Sequence, residues 1–482
     1  MNYSVVIYIL GWIMEIEAAF LALPGIVSAI YGESGGFAFL WVALGSAVAG
    51  SMIILHKPKN MRFYLREGFV TVALSWILMS VIGCLPFVIN GDIPHFADAL
   101  FEMISGFTTT GATVVSDVEG LTKGSLFWRS FSHWIGGMGV LVFLLAIVPM
   151  AGGSHMNLMK AESPGPSVGK LVPKVRQTAK YLYIIYFTLT MIEVIFLLFG
   201  GMNLFEALTT SFGTAGTGGF AIWNDGFVSV SPYNQWVVTI FMLLFGVNFG
   251  FYFLILTGKL RDALKFEEVR IYFIIVIASA VFIFINLRHF ALYAPVEGIR
   301  QAFFQVASII TTTGFASADF NLWPETSRTI LVLLMFIGAC AGSTGGGIKV
   351  SRFIIACKSF IKEIISYLHP RSVKKIKLEG KPLEHETLRA TNVYFMTYMV
   401  IFAVSVLLVS IENKDLVTNF AAVAATFNNI GPGLSLVGPM ANFGHFTDFT
   451  KYILMFDMLA GRLEIFPMLL LFCPTVWKRR RA

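Results

Sequence analysis

Four short strings carry residue types that can take a cation out of water. They are ALFEMISGFTTTGAT at 99–113, LFEALTTSFGTAGTGGF at 204–220, AFFQVASIITTTGFA at 302–316 and NFAAVAATFNNIGPGLS at 419–435. Each opens with an apolar stretch and then reaches a turn rich in Thr and Gly or in Asn and Gly. A dehydrating cation needs oxygens in place of its water shell, and rings of backbone carbonyls supply them without burying formal charge. Glycine permits the backbone angles that turn successive carbonyls inward, and threonine adds a hydroxyl acceptor beside them. The apolar stretch reads as a short helix whose negative dipole end faces the turn and favours a cation. In the first and third strings a phenylalanine, Phe101 or Phe304, precedes Gly111 or Gly314 by ten residues. The glycines Gly111, Gly218, Gly314 and Gly431 recur about every hundred residues, which marks a fourfold internal repeat.

The elements holding these turns have to sit in lipid. Of 482 residues, 56% are hydrophobic and 13% charged, about half the usual ~25% charge of a soluble chain, and mean hydropathy is +0.75. Apolar runs fall near 3–30, 37–56, 68–90, 126–150, 181–200, 236–257, 271–288, 329–348, 391–411 and 452–475. The expected fold is therefore an all-α polytopic membrane protein of ten spans. Two extra N-terminal spans (1–57) precede four helix–pore-loop–helix repeats at 68–150, 181–258, 271–365 and 391–477. The net charge of +7 is not a nucleic-acid signal: 27 of the 35 Lys and Arg lie in 57–66, 155–180, 259–270, 349–389 and 478–481. Every second connection is thus basic, as cytoplasmic loops are. Ten spans and the basic tail place both termini in the cytoplasm. The N-terminus lacks a basic leader, so it reads as a span and not a cleavable signal. The four cysteines lack metal spacing and read as small buried hydrophobes. Ten helical residues rise about 15 Å, half of a ~30 Å hydrocarbon layer, so each short helix stops at mid-membrane. Irregular backbone there has to line protein or a watery cavity.

The strings TTTGAT at 108–113, TGGF at 217–220, TTTGF at 311–315, NNIGPG at 428–433, AGSTGGGIKV at 341–350 and GRLEIFP at 461–467 resemble the Trk/Ktr/HKT superfamily of potassium transporters. The resemblance covers nearly the whole chain, and the two extra N-terminal spans look like the TrkH-type membrane subunit. It implies one filter strand per repeat, centred on Gly111, Gly218, Gly314 and Gly431. Thr109, Thr110, Thr217, Thr312, Thr313, Asn429 and Ile430 would present carbonyls. The second strand offers two registers, Gly216 or Gly218, and Gly218 is preferred because Thr-Gly-Gly-Phe mirrors Thr-Gly-Phe of the third. The resemblance further implies a bacterial plasma-membrane location, a homodimer and a cytosolic nucleotide-binding partner of the RCK kind (TrkA-like). Potassium would be the transported ion, and no cofactor is expected.

Two further features bear on a gate. The segment Gly342, Ser343, Thr344, Gly345, Gly346 and Gly347 interrupts the eighth apolar run, where four glycines weaken a helix. It lacks the Ser or Thr after Lys349 that a phosphate-binding loop needs. It reads as an intramembrane loop across the inner pore, with a small-residue packing face as the alternative, and the resemblance assigns a gating loop to this position. Lys349, just beyond, would begin the basic segment that a partner grips. Arg462 lies deep in the last run, where an isolated charge is costly. It faces either the aqueous pore or an acid on a neighbouring helix. Arg129 reads as an interfacial anchor, and Asp92, Asp98, Glu102, Asp117 and Glu119 about the first outer mouth read equally as charge that concentrates cations at the entrance or as solvated loop charge. No catalytic motif is present, so an enzyme is not expected. A channel-like potassium pore leads, and a symporter coupling potassium to sodium or protons is the alternative.

Overall fold

In the computed structural model, residues 1–59, 64–137, 139, 175–370 and 375–478 are described. Helices α1 (Tyr3–Ile30) and α2 (Gly36–Leu55) run antiparallel in close contact. A Cβ on Gly11 would lie 2.8 Å from Ile53, and one on Gly36 would lie 2.5 Å from Ser28, so small residues set this approach.

Four units of similar order follow. The first is α3 (Leu65–Asn90), the short α4 (Phe96–Phe107) and α5 (Lys123–Gly137). The second is α6 (Val175–Phe199), the short α7 (Leu204–Gly216), α8 (Pro232–Phe245) and α9 (Phe249–Leu256), with α10 (Leu260–Leu264) after it. The third is α11 (Glu267–His289), the short α12 (Pro295–Ile310), α13 (Glu325–Ile337) and α14 (Val350–Leu368). A two-stranded hairpin, β1 (Lys377–Leu378) paired antiparallel with β2 (Lys381–Pro382), precedes the fourth. That unit holds α15 (His385–Val409), the short α16 (Leu416–Phe427), α17 (Asp448–Arg462), α18 (Phe466–Leu471) and α19 (Pro474–Trp477).

Six of the ten expected spans are single apolar helices: α1, α2, α3, α6, α11 and α15. Three others are interrupted. The run 236–257 becomes α8 and α9, bent by 88° where Asn248 caps the second piece through the Gly250 amide at 2.8 Å. The run 329–348 leaves the helix at Gly338, whose φ is +73°. The run 452–475 breaks at Glu464 and Ile465, both left-handed (φ +59° and +69°). The tenth, 126–150, leaves the described residues after α5. Interruptions of this kind are tolerated at membrane depth only against protein or water.

The short helices are 12, 13, 16 and 12 residues long and buried along most of their length. The N-terminus of α7 is closed by a capping box: the Glu206 amide donates to Asn203 Oδ1 at 2.9 Å, and the Asn203 amide to Glu206 Oε2 at 3.1 Å. That satisfies two of its orphan amides. Met1 and Lys478 meet on one face, where the Met1 ammonium donates to the Lys478 carbonyl at 3.1 Å. Large apolar side chains such as Trp41, Ile274, Phe282, Met396 and Leu407 lie exposed on the outer helices, a surface suited to acyl chains and not to water.

Candidate functional site at the four glycine turns

All four short helices end alike. The amides of Thr109, Thr217, Thr312 and Asn429 donate three residues back, at 3.1, 3.0, 3.1 and 3.1 Å. The following amides, of Thr110, Gly218, Thr313 and Ile430, donate five residues back at 2.9, 2.9, 2.9 and 2.8 Å. This pair of bonds is the Schellman closure. Its left-handed position, normally a glycine, is here Thr109 (φ +55°), Thr217 (+54°), Thr312 (+58°) and Asn429 (+55°). A side chain in that conformation costs about 1–3 kcal/mol, and the same strain occurs once in every unit. Two residues beyond the cap, Gly111, Gly219, Gly314 and Gly431 again have positive φ, +78°, +78°, +85° and +98°.

This equivalence corrects the second strand. Gly219, not Gly218, matches Gly111, Gly314 and Gly431. Gly218 stands where the other strands carry Thr110, Thr313 and Ile430, and Gly216 is the last residue of α7. A Cβ on Gly218 would lie 2.1 Å from the His133 ring, so the imidazole takes the room a side chain would need.

The four turns close on one another. A Cβ on Gly111 would lie 2.0 Å from the Gly218 carbonyl oxygen, and one on Gly219 2.0 Å from that of Thr313. One on Gly314 would lie 1.9 Å from the Ile430 oxygen, and one on Gly431 2.7 Å from that of Thr110. Each glycine therefore abuts the carbonyl of the next strand, and the order 1–2–3–4 returns to 1. The segments beyond the turns repeat that order. The Val118 amide donates to Asn224 Oδ1 at 2.7 Å, and the Phe227 amide to Ala316 O at 2.8 Å. The Ser435 amide donates to Asn321 Oδ1 at 3.0 Å, and the Phe443 amide to Thr113 O at 2.8 Å.

Buried polar groups hold the first two strands, and here two expectations fail. Arg129 is not an interfacial anchor: it is 2% exposed, 2.8 Å from Glu102, and stacked 4.1 Å over the Phe220 ring. Glu102 is not solvated mouth charge: it is fully buried and accepts from Thr113 Oγ1 at 2.9 Å and the Val114 amide at 3.0 Å. His133 places Nδ1 2.7 Å from the Gly106 carbonyl, and its Nε2 accepts from the Phe220 amide at 3.2 Å. One neutral ring thus joins the first short helix to the second strand.

Between α13 and α14 the chain runs without helix from Gly338 to Lys349, a wider break than the six residues expected. It lies against the ends of two short helices. The Gly346 amide donates to Thr312 Oγ1 at 2.6 Å, and Cβ atoms on Gly345 and Gly346 would lie 2.8 Å from Thr311 O and 2.7 Å from Asn428 O. Ser343 Oγ donates to Cys340 O at 2.6 Å, Thr344 Oγ1 to Phe245 O at 3.3 Å, and the Phe249 amide to Gly342 O at 3.0 Å. Arg462 donates to Thr344 O at 2.8 Å and to Gly136 O at 2.6 Å, so it ties this loop to the first unit through carbonyls. Lys349 does not reach out to a partner. It is 3% exposed and curls back to donate to the Gly345 carbonyl. The neighbouring acid, Glu464, pairs with Arg352, which also stacks 3.9 Å over Tyr394.

Comparison with known proteins covers nearly the whole chain. Residues 37–479 match the profile of the TrkH family, described as a cation transport protein. The chain is 37% identical to the Trk system potassium uptake protein TrkH of Escherichia coli K12, over 99% of this chain and 100% of that one. It is 31% identical to the TrkG protein of the same organism, over 99% of each. The crystal structure of the potassium transporter TrkH from Vibrio parahaemolyticus superposes with a TM-score of 0.87 at 33% identity, over 99% of this chain and 100% of that one. The chain is not an enzyme; it belongs to the TrkH family of cation transport proteins.

Proposed function

We propose that this chain takes up potassium through the axis ringed by the four turns. The observation that carries the reading is the cyclic contact of Gly111, Gly219, Gly314 and Gly431 with the carbonyl of the next strand. Four equivalent backbones held at the same angles offer stacked carbonyl oxygens to one ion, and carbonyl rings are how proteins replace the hydration of potassium. The relatives named for potassium uptake agree with that substrate. In this reading Thr109, Thr110, Thr217, Gly218, Thr312, Thr313, Asn429 and Ile430 supply oxygens, and the 338–349 loop with Arg462 is the gate.

The ten-span topology, with both termini in the bacterial cytoplasm, belongs to the same proposal. It is supported by the contact of Met1 with Lys478 and by the basic loops on alternate connections. A homodimer governed by a cytosolic nucleotide-binding subunit completes it. The test is rubidium uptake into proteoliposomes with sodium as competitor. Gly111→Ser, Gly219→Ser and Gly314→Ser should each let sodium compete, whereas unchanged discrimination in all three would defeat the filter. Reversal potentials that track potassium alone would separate a channel from a symporter.

A further inference from the structure

One carboxylate holds the 338–349 loop near its start and the first turn of α14 just past its end. Glu268, 4% exposed at the start of α11, accepts through the same oxygen from the Ala341 amide at 2.7 Å and the Ser351 amide at 3.0 Å. The two amides lie ten residues apart in sequence and flank the glycine-rich stretch. Two amides donating to one oxygen therefore pinch the loop closed at its base.

The position of Glu268 is itself set by the β1–β2 hairpin. The first amides of α11, those of Glu267 and Glu268, donate to the Glu379 carboxylate at 2.8 and 3.1 Å. Glu379 sits at the tip of the β1–β2 hairpin with φ +52°. Its carboxylate caps a helix whose own residues offer no N-cap side chain, where a negative charge is favoured. Lys358 of α14 fastens the same corner, with Nζ 2.5 Å from Glu267 and 2.8 Å from the Lys377 carbonyl. The hairpin is anchored by Leu378, 2% exposed, while Lys377 and Lys381 stand exposed on it.

We infer that Glu268 is the positioning residue that holds the 338–349 loop across the axis, and that the 377–382 hairpin sets it through the Glu379 cap on α11. The inference rests on the gating role proposed for that loop. A regulator that displaces the hairpin moves the α11 N-terminus, and with it the oxygen to which the start of the loop and the first turn of α14 are tied. The exposed lysines of the hairpin suit an acidic surface on that regulator.

The test uses the full chain, purified and reconstituted, with amide exchange at Ala341 and Ser351 and regulator-free rubidium uptake read in parallel. Glu268→Ala should speed exchange at both amides at least tenfold and raise uptake several-fold. Glu268→Gln keeps an oxygen acceptor and should stay near the parent in both, which a loss of folding would not reproduce. Glu379→Ala should fall between, and the double variant should do no more than Glu268→Ala, because the two act in series. Unchanged exchange in Glu268→Ala, or additive effects in the double variant, would overturn the inference. A chain shortened by residues 343–346 separates the two readings. If it conducts freely while Glu268→Ala exchanges faster without conducting, Glu268 does not position the gate. If it stays closed, the gate itself lies elsewhere, and the uptake arm of the inference falls with it.

Discussion

Arg129 and Glu102 are 2% and 0% exposed, and a buried pair of this kind punishes the loss of either member. Glu102→Gln leaves a guanidinium without its counter-charge and should cost about 3–5 kcal/mol, read as a large fall in the thermal midpoint on size-exclusion chromatography. It also weakens the acceptor for Thr113 and the Val114 amide, so sodium should compete better in whatever folded fraction survives. A second residue-scale test concerns the wall behind Gly218. Gly218→Ala drives a methyl into the His133 ring and should cut uptake and stability. His133→Ala alone loses two hydrogen bonds, worth about 1 kcal/mol each. The double variant should recover part of the Gly218→Ala loss, and strict additivity would show that the ring is not what excludes a side chain there. Neither relation was open to sequence reasoning. Glu102 and Arg129 lie 27 residues apart on different helices, and nothing in their spacing pairs them.

At the scale of elements, the repeat itself was legible: a short apolar helix, a Thr or Asn, a glycine, four times over. Its register in the second strand was not. The usual rule puts a glycine at the left-handed cap of a helix, and TAGTGGF offers three glycines for the role. The chain instead strains a threonine at the cap and keeps the glycine two residues later, where the neighbouring carbonyl leaves no room for a Cβ. The hydrogen bonds reaching three and five residues back, the positive φ of Gly219 and its approach to the Thr313 carbonyl distinguish it from Gly218. The break at Gly338 was hidden for a related reason, because LLMFIGAC reads as unbroken apolar helix while the groups that replace its helical bonds are distant in sequence: the Gly246 carbonyl, the Glu268 carboxylate, the Thr312 hydroxyl and the Phe249 amide. Arg462 shows the same limit. Its own helix offers no acid three or four residues away, yet it reaches carbonyls in the loop and in α5. Arg462→Leu removes both donors and should raise regulator-free rubidium uptake with discrimination intact, while Arg462→Lys, with fewer donors, should restore part of the closure. Equal uptake in parent and leucine variant would remove Arg462 from the proposed gate.

For the whole molecule, the ring has one seam unlike the others. Units 1 and 2, 2 and 3, and 3 and 4 follow one another in the chain, whereas the fourth meets the first across more than 300 residues. That seam carries charge: Lys451, 6% exposed, lies 2.5 Å from Asp98, and His95 lies 3.4 Å from Asp448. Asn429 adds a bond to Thr110 Oγ1 at 3.0 Å. Asp98→Asn should therefore lower the thermal midpoint more than Asn224→Ala does at the seam between units 1 and 2. The expected difference is about 1 kcal/mol, since Asp98 is partly solvated, and equal midpoints would show that chain continuity does not matter to closure. The four strands also differ at the position after the cap, with Thr110, Gly218, Thr313 and Ile430. In a pore assembled from four copies of one subunit, a single codon rewrites every quarter at once. Here each codon touches one quarter, so heredity can alter this ring a side at a time, and intermediate forms that a fourfold assembly could never sample are open to it.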